Sequence, residues 1–214
     1  MFFVSTVEEN DYKELFTGGA WGYFNDLESA IDAVHRNVTD IHETIYPYAV
    51  IEELDPGLFP VPKRRLWFGW CEEKWGFYEI DTREFDGKYP DNYSIAMRAI
   101  GRKNIAGQER LKDFSASNNS QYFILAKDTK TEKSCHCGFF SDKETTLTLV
   151  SKNFQELHNE GYDVVLVECV TPYILPVSQQ RIWFQWNAAE NRFVQNNTPD
   201  KYAEYPTWFP VALG

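Results

Sequence analysis

The spacing of apolar positions changes several times along the chain, and each change predicts a new element. The apolar opening MFFVSTV and the segment that ends in GYF at residue 24 flank a polar turn, so both predict strands. From residue 27 the apolar positions recur every three or four residues, which predicts an amphipathic helix lying on a sheet. Its apolar stripe is formed by Leu27, Ile31, Val34, Val38 and Ile41. The segments YAVIEEL, RRLWFGW and GFYEI predict three further strands.

The same order of patterns returns after residue 120. QYFILAK and the segment ending in GFF predict two strands, and VVLVECV, QRIWFQW and RFVQN predict three more. A helical stripe lies between the two groups, at Leu147, Val150, Phe154 and Leu157. The predicted fold class is therefore α+β, made of two tandem copies of a β-β-α-β-β-β unit with a mainly antiparallel sheet and one helix packed on it.

Both predicted helices carry a start signal. Asn25 is followed three residues later by Glu28, which fits a capping box, where the cap accepts a backbone N–H and the glutamate reaches back. Ser141 and Glu144 repeat the pattern. The helices are predicted to end near two histidines, His42 and His158.

The two series also match residue by residue. Gly22 to Phe77 aligns without a gap to Gly138 to Phe193 at a constant offset of 116, and 17 of the 56 positions are identical. This period is far longer than the roughly 20–50 residues of solenoid repeats, so it predicts a duplicated domain. We expect a first unit at 1–84, a linker with a short helix at 85–120, and a second unit at 121–214 that ends in an aromatic tail.

Charge restricts the class of partner. The chain has a net charge of −11 and a pI near 4.8. An acidic surface repels phosphate backbones, which argues against direct nucleic-acid binding. The negative charge could instead serve solubility or bind a basic surface on another protein. The N-terminus lacks a signal-peptide pattern, and no apolar run approaches the ~20 residues of a membrane helix. We expect a cytoplasmic protein without a membrane segment.

The cysteines do not predict a metal site. None of the four cysteines, Cys71, Cys135, Cys137 and Cys169, is matched by a cysteine in the other series. A disulfide or metal site that the fold required would have been duplicated. In the run Cys135-His136-Cys137, strand alternation sends the two thiols to one face and the imidazole to the other. The sequence therefore predicts reduced thiols, no metal and no cofactor.

Two polar–aromatic faces are common to both series. On the fourth predicted strand, Arg65 and Trp67 share a face, and Arg181 and Trp183 repeat this. The third strand carries the matched carboxylates Glu52 and Glu168. One interpretation is structural, with cross-strand ion pairs Glu52–Arg65 and Glu168–Arg181 covered by the tryptophans. The other is a ligand-binding platform, since Arg offers a fork for phosphate or carboxylate and Trp a face for a ring.

The matched histidines allow a second pair of interpretations. His42 and His158 are expected at helix C-termini, where a protonated imidazole is favoured by the helix dipole. With Tyr46 and Tyr162 they could also form an acid–base or ligand-binding site. No nucleophile motif, metal motif or glycine-rich phosphate loop accompanies them, so the sequence predicts a protein that is not an enzyme.

The first series resembles short uncharacterised proteins of phage and prophage genomes. The resemblance is carried by GYFNDLESA at 22–30, YPYAVIEE at 46–53, the Trp-Phe pair at 67–68 and FYEI at 77–80. Those relatives are usually single units, so the tandem form departs from them. The resemblance implies an accessory protein of a phage or mobile element, and it carries no established site.

These observations lead to a functional hypothesis. We expect a non-enzymatic binding protein of phage type that antagonises a host defence system by binding a host protein or by sequestering a nucleotide-like small molecule. In the second case the two Arg–Trp faces would hold the ligand. One alternative is a virion structural or assembly protein, which predicts homo-oligomers. Another is a small hydrolase or transferase that uses His42 or His158.

Overall fold

The computed structural model describes residues 1–81, 85, 88–89, 94–99, 120–131, 133–174, 176 and 178–196. We call residues 1–81 the first half and residues 120–196 the second half. All recorded strand pairs in this part of the chain are antiparallel, and the helices are few, so the composition is α+β. Most of the predicted linker and the aromatic tail from residue 197 lie outside the described residues.

The first half contains six strands and one helix. Their bounds are β1 Phe2–Glu9, β2 Leu15–Phe24, α1 Leu27–His35, β3 Tyr48–Glu53, β4 Gly57–Leu58, β5 Arg64–Cys71 and β6 Gly76–Glu79. A short helix, α2, spans Ile95–Ala99, within the segment between the halves where a short helix was predicted.

The second half repeats this order with its helix in two pieces. The bounds are β7 Gln121–Lys127, β8 Ser134–Phe140, α3 Lys143–Asn153, α4 Gln155–Asn159, β9 Val164–Val170, β10 Tyr173–Ile174, β11 Ser178–Asn187 and β12 Arg192–Asn196. The predicted unit lacked β4 and β10, which was wrong. These strands have two residues each, and their pairing partners lie far away in the sequence, so no local pattern marks them.

Each sheet borrows its short edge strand from the other half. The first sheet has the order β10-β2-β1-β3-β5-β6, and the second has the order β12-β11-β9-β7-β8-β4. In the first sheet Tyr173 and Ile174 pair with Tyr23 and Gly22. In the second sheet the matched residues exchange roles, because Gly57 and Leu58 pair with Phe139 and Gly138. The exchange is reciprocal, so the two halves are joined by main-chain hydrogen bonding on both sides.

Two matched glycines permit this exchange. A Cβ on Gly22 would lie 1.9 Å from the carbonyl oxygen of Tyr173, and a Cβ on Gly138 would lie 2.0 Å from that of Gly57. Real side chains do not approach a backbone oxygen so closely. Gly138 also has a φ of +143°, a conformation that L residues rarely adopt. Both positions therefore need glycine so that the borrowed strand can approach.

A shared aromatic core joins the halves. Phe3 and Tyr23 from the first half meet Phe123 and Phe139 from the second, with ring centroids 5.1–6.1 Å apart. The Tyr23 hydroxyl donates to the carbonyl oxygen of Val170 at 2.6 Å, and burial raises the pKa of Tyr23 well above its ordinary value. Aromatic rings contribute large buried areas, so this core supplies apolar contact that neither half holds alone.

Each half also has its own core beneath its helix. In the first half Phe68 packs with Ala30, Ala33 and Val34 of α1, and Leu66 and Trp70 lie at the edge of the same cluster. Ile182 and Phe184 occupy the matched places in the second half, with Trp186 beside them. The prediction that this face of the fourth strand lies beneath the helix is confirmed.

The predicted helix ends need correction. The N-caps are Asp26 and Asp142, one residue after the predicted Asn25 and Ser141, and their carboxylates accept from the backbone N–H of Ser29 and Thr145. An ionised cap is favoured at the positive end of a helix, and the cap hydrogen bonds lower the pKa of both aspartates.

The first helix is also shorter than predicted. It ends at His35, and the chain then runs through turns with positive φ at Asn37, Thr39, Asp40, Glu43 and Thr44. His42 therefore lies in a turn rather than at a helix end. In the second half α4 ends at Asn159, beside His158, as predicted.

Candidate binding surface

Both predicted carboxylate–arginine pairs are in contact. The register places Glu52 opposite Arg65 and Glu168 opposite Arg181. Glu52 Oε1 accepts from Arg65 Nε at 2.7 Å, and Glu168 Oε1 accepts from Arg181 Nε at 3.0 Å. Both carboxylates are fully buried, so the guanidinium groups compensate charges that would otherwise be costly inside the protein.

Glu52 also anchors the short helix between the halves. Its Oε2 accepts from the Ser94 hydroxyl at 2.8 Å and from the backbone N–H of Ala96 at 2.9 Å. Ala96 lies in the first turn of α2, where backbone N–H groups have no partner within the helix. One carboxylate thus binds both a neighbouring strand and α2.

The tryptophans of the predicted ligand platform are covered. Trp67 is buried and stacks on Phe85, with centroids 4.3 Å apart and planes 8° from parallel. Trp183 is buried in the core shared by both halves. Because neither ring face is open and both arginines bind carboxylates, Arg65, Trp67, Arg181 and Trp183 do not form an accessible platform. These contacts favour the structural interpretation of the four residues over the ligand-binding one.

The matched histidines stack on matched tryptophans. His42 lies parallel to Trp70 at 3.8 Å, and His158 lies parallel to Trp186 at 3.9 Å. Trp70 and Trp186 point beneath the helices, on the opposite strand face from the predicted platform, and were not predicted as site residues. Each stack is partly exposed.

The hydrogen bonds of these histidines fit a structural role. His42 Nδ1 lies 2.8 Å from the carbonyl oxygen of Tyr46, and His158 Nδ1 lies 3.2 Å from that of Tyr162. The backbone N–H of His42 donates to the Asn37 side chain at 2.8 Å. Among the described residues, no carboxylate is recorded as a hydrogen-bond partner of either imidazole. The geometry therefore gives no support to an acid–base pair at these positions.

The Cys135-His136-Cys137 run lies on β8. Cys135 and Cys137 belong to the core beneath α3, whereas His136 contacts the ring of Phe123 on the other face. Burial lowers the pKa of His136 to about 3, and hydrogen bonding from Cys137 lowers the pKa of Cys135 to about 7. Within the described part of the chain, no three His, Cys, Asp or Glu side chains group as a metal site.

The exposed large apolar side chains lie in one half, in groups at the two ends of its sheet. Among the described residues, every large apolar side chain that is exposed belongs to the first half. They are Tyr12, Phe16, Ile45, Leu58, Phe59, Val61 and Trp75. The counterparts of Phe59 and Val61, residues 175 and 177, lie outside the described residues. The comparison between halves therefore depends on the other positions.

Three matched positions make the difference explicit. Ile45 is 51% exposed and corresponds to Gly161, and Trp75 is 68% exposed and corresponds to Asn191. Leu58 is partly exposed, whereas its counterpart Ile174 is buried in the core of the first half. The first half thus presents apolar groups where the second half presents small or polar groups or buries the side chain.

Trp75 also occupies an unfavourable backbone conformation. It has a φ of +52°, and Asn191 at the matched turn has the same φ. Asparagine tolerates this left-handed region, whereas a bulky residue there is a genuine outlier. The turn geometry is common to both halves, but only the first half places a large ring on it.

Negative charge is concentrated on the same half. Residues 1–81 contain 16 Asp and Glu against six Lys and Arg, a net charge of −10. Residues 120–196 contain nine against seven, a net charge of −2. The acidic character predicted for the whole chain is therefore a property of the first half.

Sequence reasoning missed this surface because it searched for what both series share. The available signal was the opposite one, where the repeat breaks. The β5–β6 turn reads Glu-Glu-Lys-Trp at 72–75, and the matched turn reads Ala-Ala-Glu-Asn at 188–191. Differences that expose a large ring are informative because exposed apolar groups can mark an interaction site.

Comparisons of the chain with protein-family models, with curated proteins and with solved structures found no match. Within the described residues, no helix has the length and apolar character needed to cross a membrane.

Proposed function

We propose that the chain is a non-catalytic binding protein that acts by docking on another protein, with its docking surface on the first half. The observation that supports this most strongly is the coincidence, in residues 1–81, of the exposed large apolar side chains and a net charge of −10. Exposed apolar groups provide binding energy, and a charged surround provides specificity and a fast encounter.

A protein partner fits the contacts better than a small ligand does. The two arginines that could hold a phosphate are bound to buried carboxylates, and Trp67 and Trp183 are buried. The histidines stack on tryptophans and contact backbone carbonyls. These contacts favour structural roles for the residues that a nucleotide sponge or a hydrolase would require.

A different protein is favoured over a second copy of this chain. Two first-half surfaces brought together would oppose two net charges of −10, and like charges across an interface are unfavourable. A basic partner gains from the same charge. This argues against a virion assembly built through this surface. The resemblance to phage accessory proteins suggests a protein of the bacterial host as the partner.

We also propose that the two halves are tandem copies of one module. The matched order of elements, the matched Glu–Arg pairs, the matched His–Trp stacks and the reciprocal strand exchange support a common origin. On this account the second half acts as scaffold, and the first half acquired the docking surface.

Quantitative affinity purification from host cells tests the proposed function with three versions of the full chain. They are the unchanged chain, a first-half variant carrying Phe16→Ser, Phe59→Asn and Trp75→Asn, and a second-half control carrying Gln155→Ser and Glu156→Ser at exposed helix positions. We expect a partner that is captured by the unchanged chain and the control but falls at least ~10-fold with the first-half variant. Equal capture by all three versions, or native mass spectra showing self-association alone, would contradict the proposal.

A further inference from the structure

We infer that Trp75, at the tip of the β5–β6 turn, is the anchor of the docking surface, and that its partner presents an apolar pocket rimmed by lysine or arginine. This inference rests on the proposed function, since it names the residue and the partner chemistry of the same surface. It is carried by the backbone, by the packing and by the charge around Trp75.

The backbone conformation argues that Trp75 is not there for stability. At a φ of +52° a bulky L side chain is strained, and Asn191 shows which residue the same turn accepts. Strained residues persist where the surrounding structure holds them in place, and such outliers concentrate at functional sites. The second half folds through the same turn without the ring.

The packing argues that the ring is supported but not covered. Trp75 meets Trp70 edge-on, with centroids 5.4 Å apart, and Trp70 in turn stacks on His42. Trp75 nevertheless remains 68% exposed. The backbone N–H of Ile45 donates to the carbonyl oxygen of His42, so a second exposed apolar residue belongs to the same turn region. We call Trp75, Trp70, His42 and Ile45 the aromatic patch.

The second half provides an internal control for the patch. His158 and Trp186 form the same stack, and Trp186 meets Phe193 as Trp70 meets Phe77. The two outer apolar residues are not repeated. Gly161 occupies the position that matches Ile45, and Asn191 occupies the position that matches Trp75. The stack is thus part of the fold, and the exposed residues are an addition that only the first half carries.

The charge around Trp75 indicates the chemistry of the partner. Glu72 and Glu73 precede Trp75 in the turn and are exposed, and neither has a recorded ion pair in the described part of the chain. Lys74, the one basic residue of the turn, lies over the Tyr78 ring at 4.3 Å. The matched residues of the second half are Ala188 and Ala189. An aromatic anchor flanked by carboxylates is complementary to an apolar pocket with a basic rim, and exposed tryptophans are typical anchors of interfaces.

The experiment pans a random peptide library on the immobilised full chain and measures the selected peptides against three variants. Trp75→Asn copies the second-half turn, Asn191→Ala is the matched control, and Glu72→Ala with Glu73→Ala removes the acidic rim. We expect selected peptides to combine Lys or Arg with aliphatic or aromatic residues. Trp75→Asn should weaken their binding at least ~30-fold, and Asn191→Ala should leave it unchanged. Removal of the two glutamates should slow association several-fold at low salt and less at high salt.

Thermal unfolding separates an anchor from a structural tryptophan. Trp75→Asn relieves the strained φ, so its Tm should be unchanged or about 2–4 °C higher. A Tm lowered by more than about 5 °C would mean that Trp75 stabilises the fold, and the inference would be wrong. Selection of acidic peptides, selection of none, or equal binding to Trp75→Asn would also overturn it.

The two proposals fail in different ways. If the selected peptides bind Trp75→Asn normally but lose affinity for Ile45→Gly, which copies Gly161, the anchor is misassigned and the first-half docking surface stands. If they bind equally well to the variant carrying Phe16→Ser, Phe59→Asn and Trp75→Asn, the docking surface itself is wrong.

Discussion

The two halves share two matched side-chain contacts and differ most at their surface. Each contains a buried glutamate bound by an arginine on the next strand and a histidine stacked on a tryptophan. They differ at the β5–β6 turn, where the first half has Trp75 and the second half has Asn191 at the matched position. They also differ in net charge, which is −10 in the first half and −2 in the second. Shared features thus point to what the fold needs, and the differences are where we propose that the first half docks on a partner.

The largest effect that tests this comparison should come from the shared ion pairs. Arg65→Ala leaves Glu52 buried without its guanidinium, and Arg181→Ala does the same to Glu168. Removing one partner of a buried pair costs about 3–5 kcal/mol, so each variant should lower the free energy of unfolding by about 3 kcal/mol or more. Chemical denaturation measures this.

The control for the ion pairs lies on the same strand. Arg64 pairs with Glu53 at the surface, so Arg64→Ala should cost no more than about 1 kcal/mol. If Arg65→Ala destabilised the protein strongly and Arg181→Ala did not, the two pairs would not be equivalent, and the comparison of the halves would lose its main support.

The reciprocal strand exchange should give an intermediate effect. Gly22→Ala and Gly138→Ala each place a methyl group within 2.0 Å of a carbonyl oxygen from the other half. Overpacking costs about 1–3 kcal/mol, and Gly138→Ala adds the strain of a φ of +143°. We therefore expect both variants to be destabilised, Gly138→Ala more so. Gly57→Ala is the control, since a Cβ there would meet open space.

Hydrogen exchange at the borrowed strands gives a second measurement for the same variants. Faster exchange at Tyr173 and Ile174 in Gly22→Ala would show that the contact between the halves has opened. Slow hydrogen exchange there with unchanged stability would show that the borrowed strand still pairs and that position 22 does not need glycine.

The smallest effect should appear in the pH dependence of the free energy of unfolding, and it should come from the second half. His136 is buried with a pKa of about 3, against about 6.5 when unfolded, and its first-half counterpart is Ala20. As pH falls below about 6.5, the unfolded chain takes up a proton that the folded chain does not, so stability declines. From pH 7.5 to 5.5 the loss should be about 1.4 kcal/mol. His136→Leu should remove this slope, and an unchanged slope would assign it to other groups.

The sequence predicted the features that follow from alternation along strands. The faces of β5 and the opposition of Glu52 to Arg65 were read correctly, because each depends on a period of two residues and on pairing of nearby strands. The N-caps were placed one residue early, because Asn25-Asp26 and Ser141-Asp142 each offer two residues able to cap.

Other features depend on contacts that no local pattern carries. The helix stops at His35 because the chain then enters left-handed conformations without glycine. Asn37 and Asp40 tolerate this region, but the apolar stripe continues to Ile41 and predicted a longer helix. The burial of Trp67 depends on Phe85, a residue from the segment between the halves. The exposure of Trp75 could have been suspected only from the break in the repeat, since its neighbours in the sequence fit an ordinary turn.

The reciprocal exchange also constrains how the protein can be made. The edge of β2 stays unpaired until Tyr173 and Ile174 have been synthesised, about 150 residues after Tyr23. At roughly 5–20 residues per second, that interval is about 8–30 s. During this time the nascent first half carries an open strand edge beside the exposed face of Phe3 and Tyr23. We therefore expect chains truncated by ribosome stalling before residue 173 to aggregate or recruit chaperones, although the first half already contains its own helix-side core.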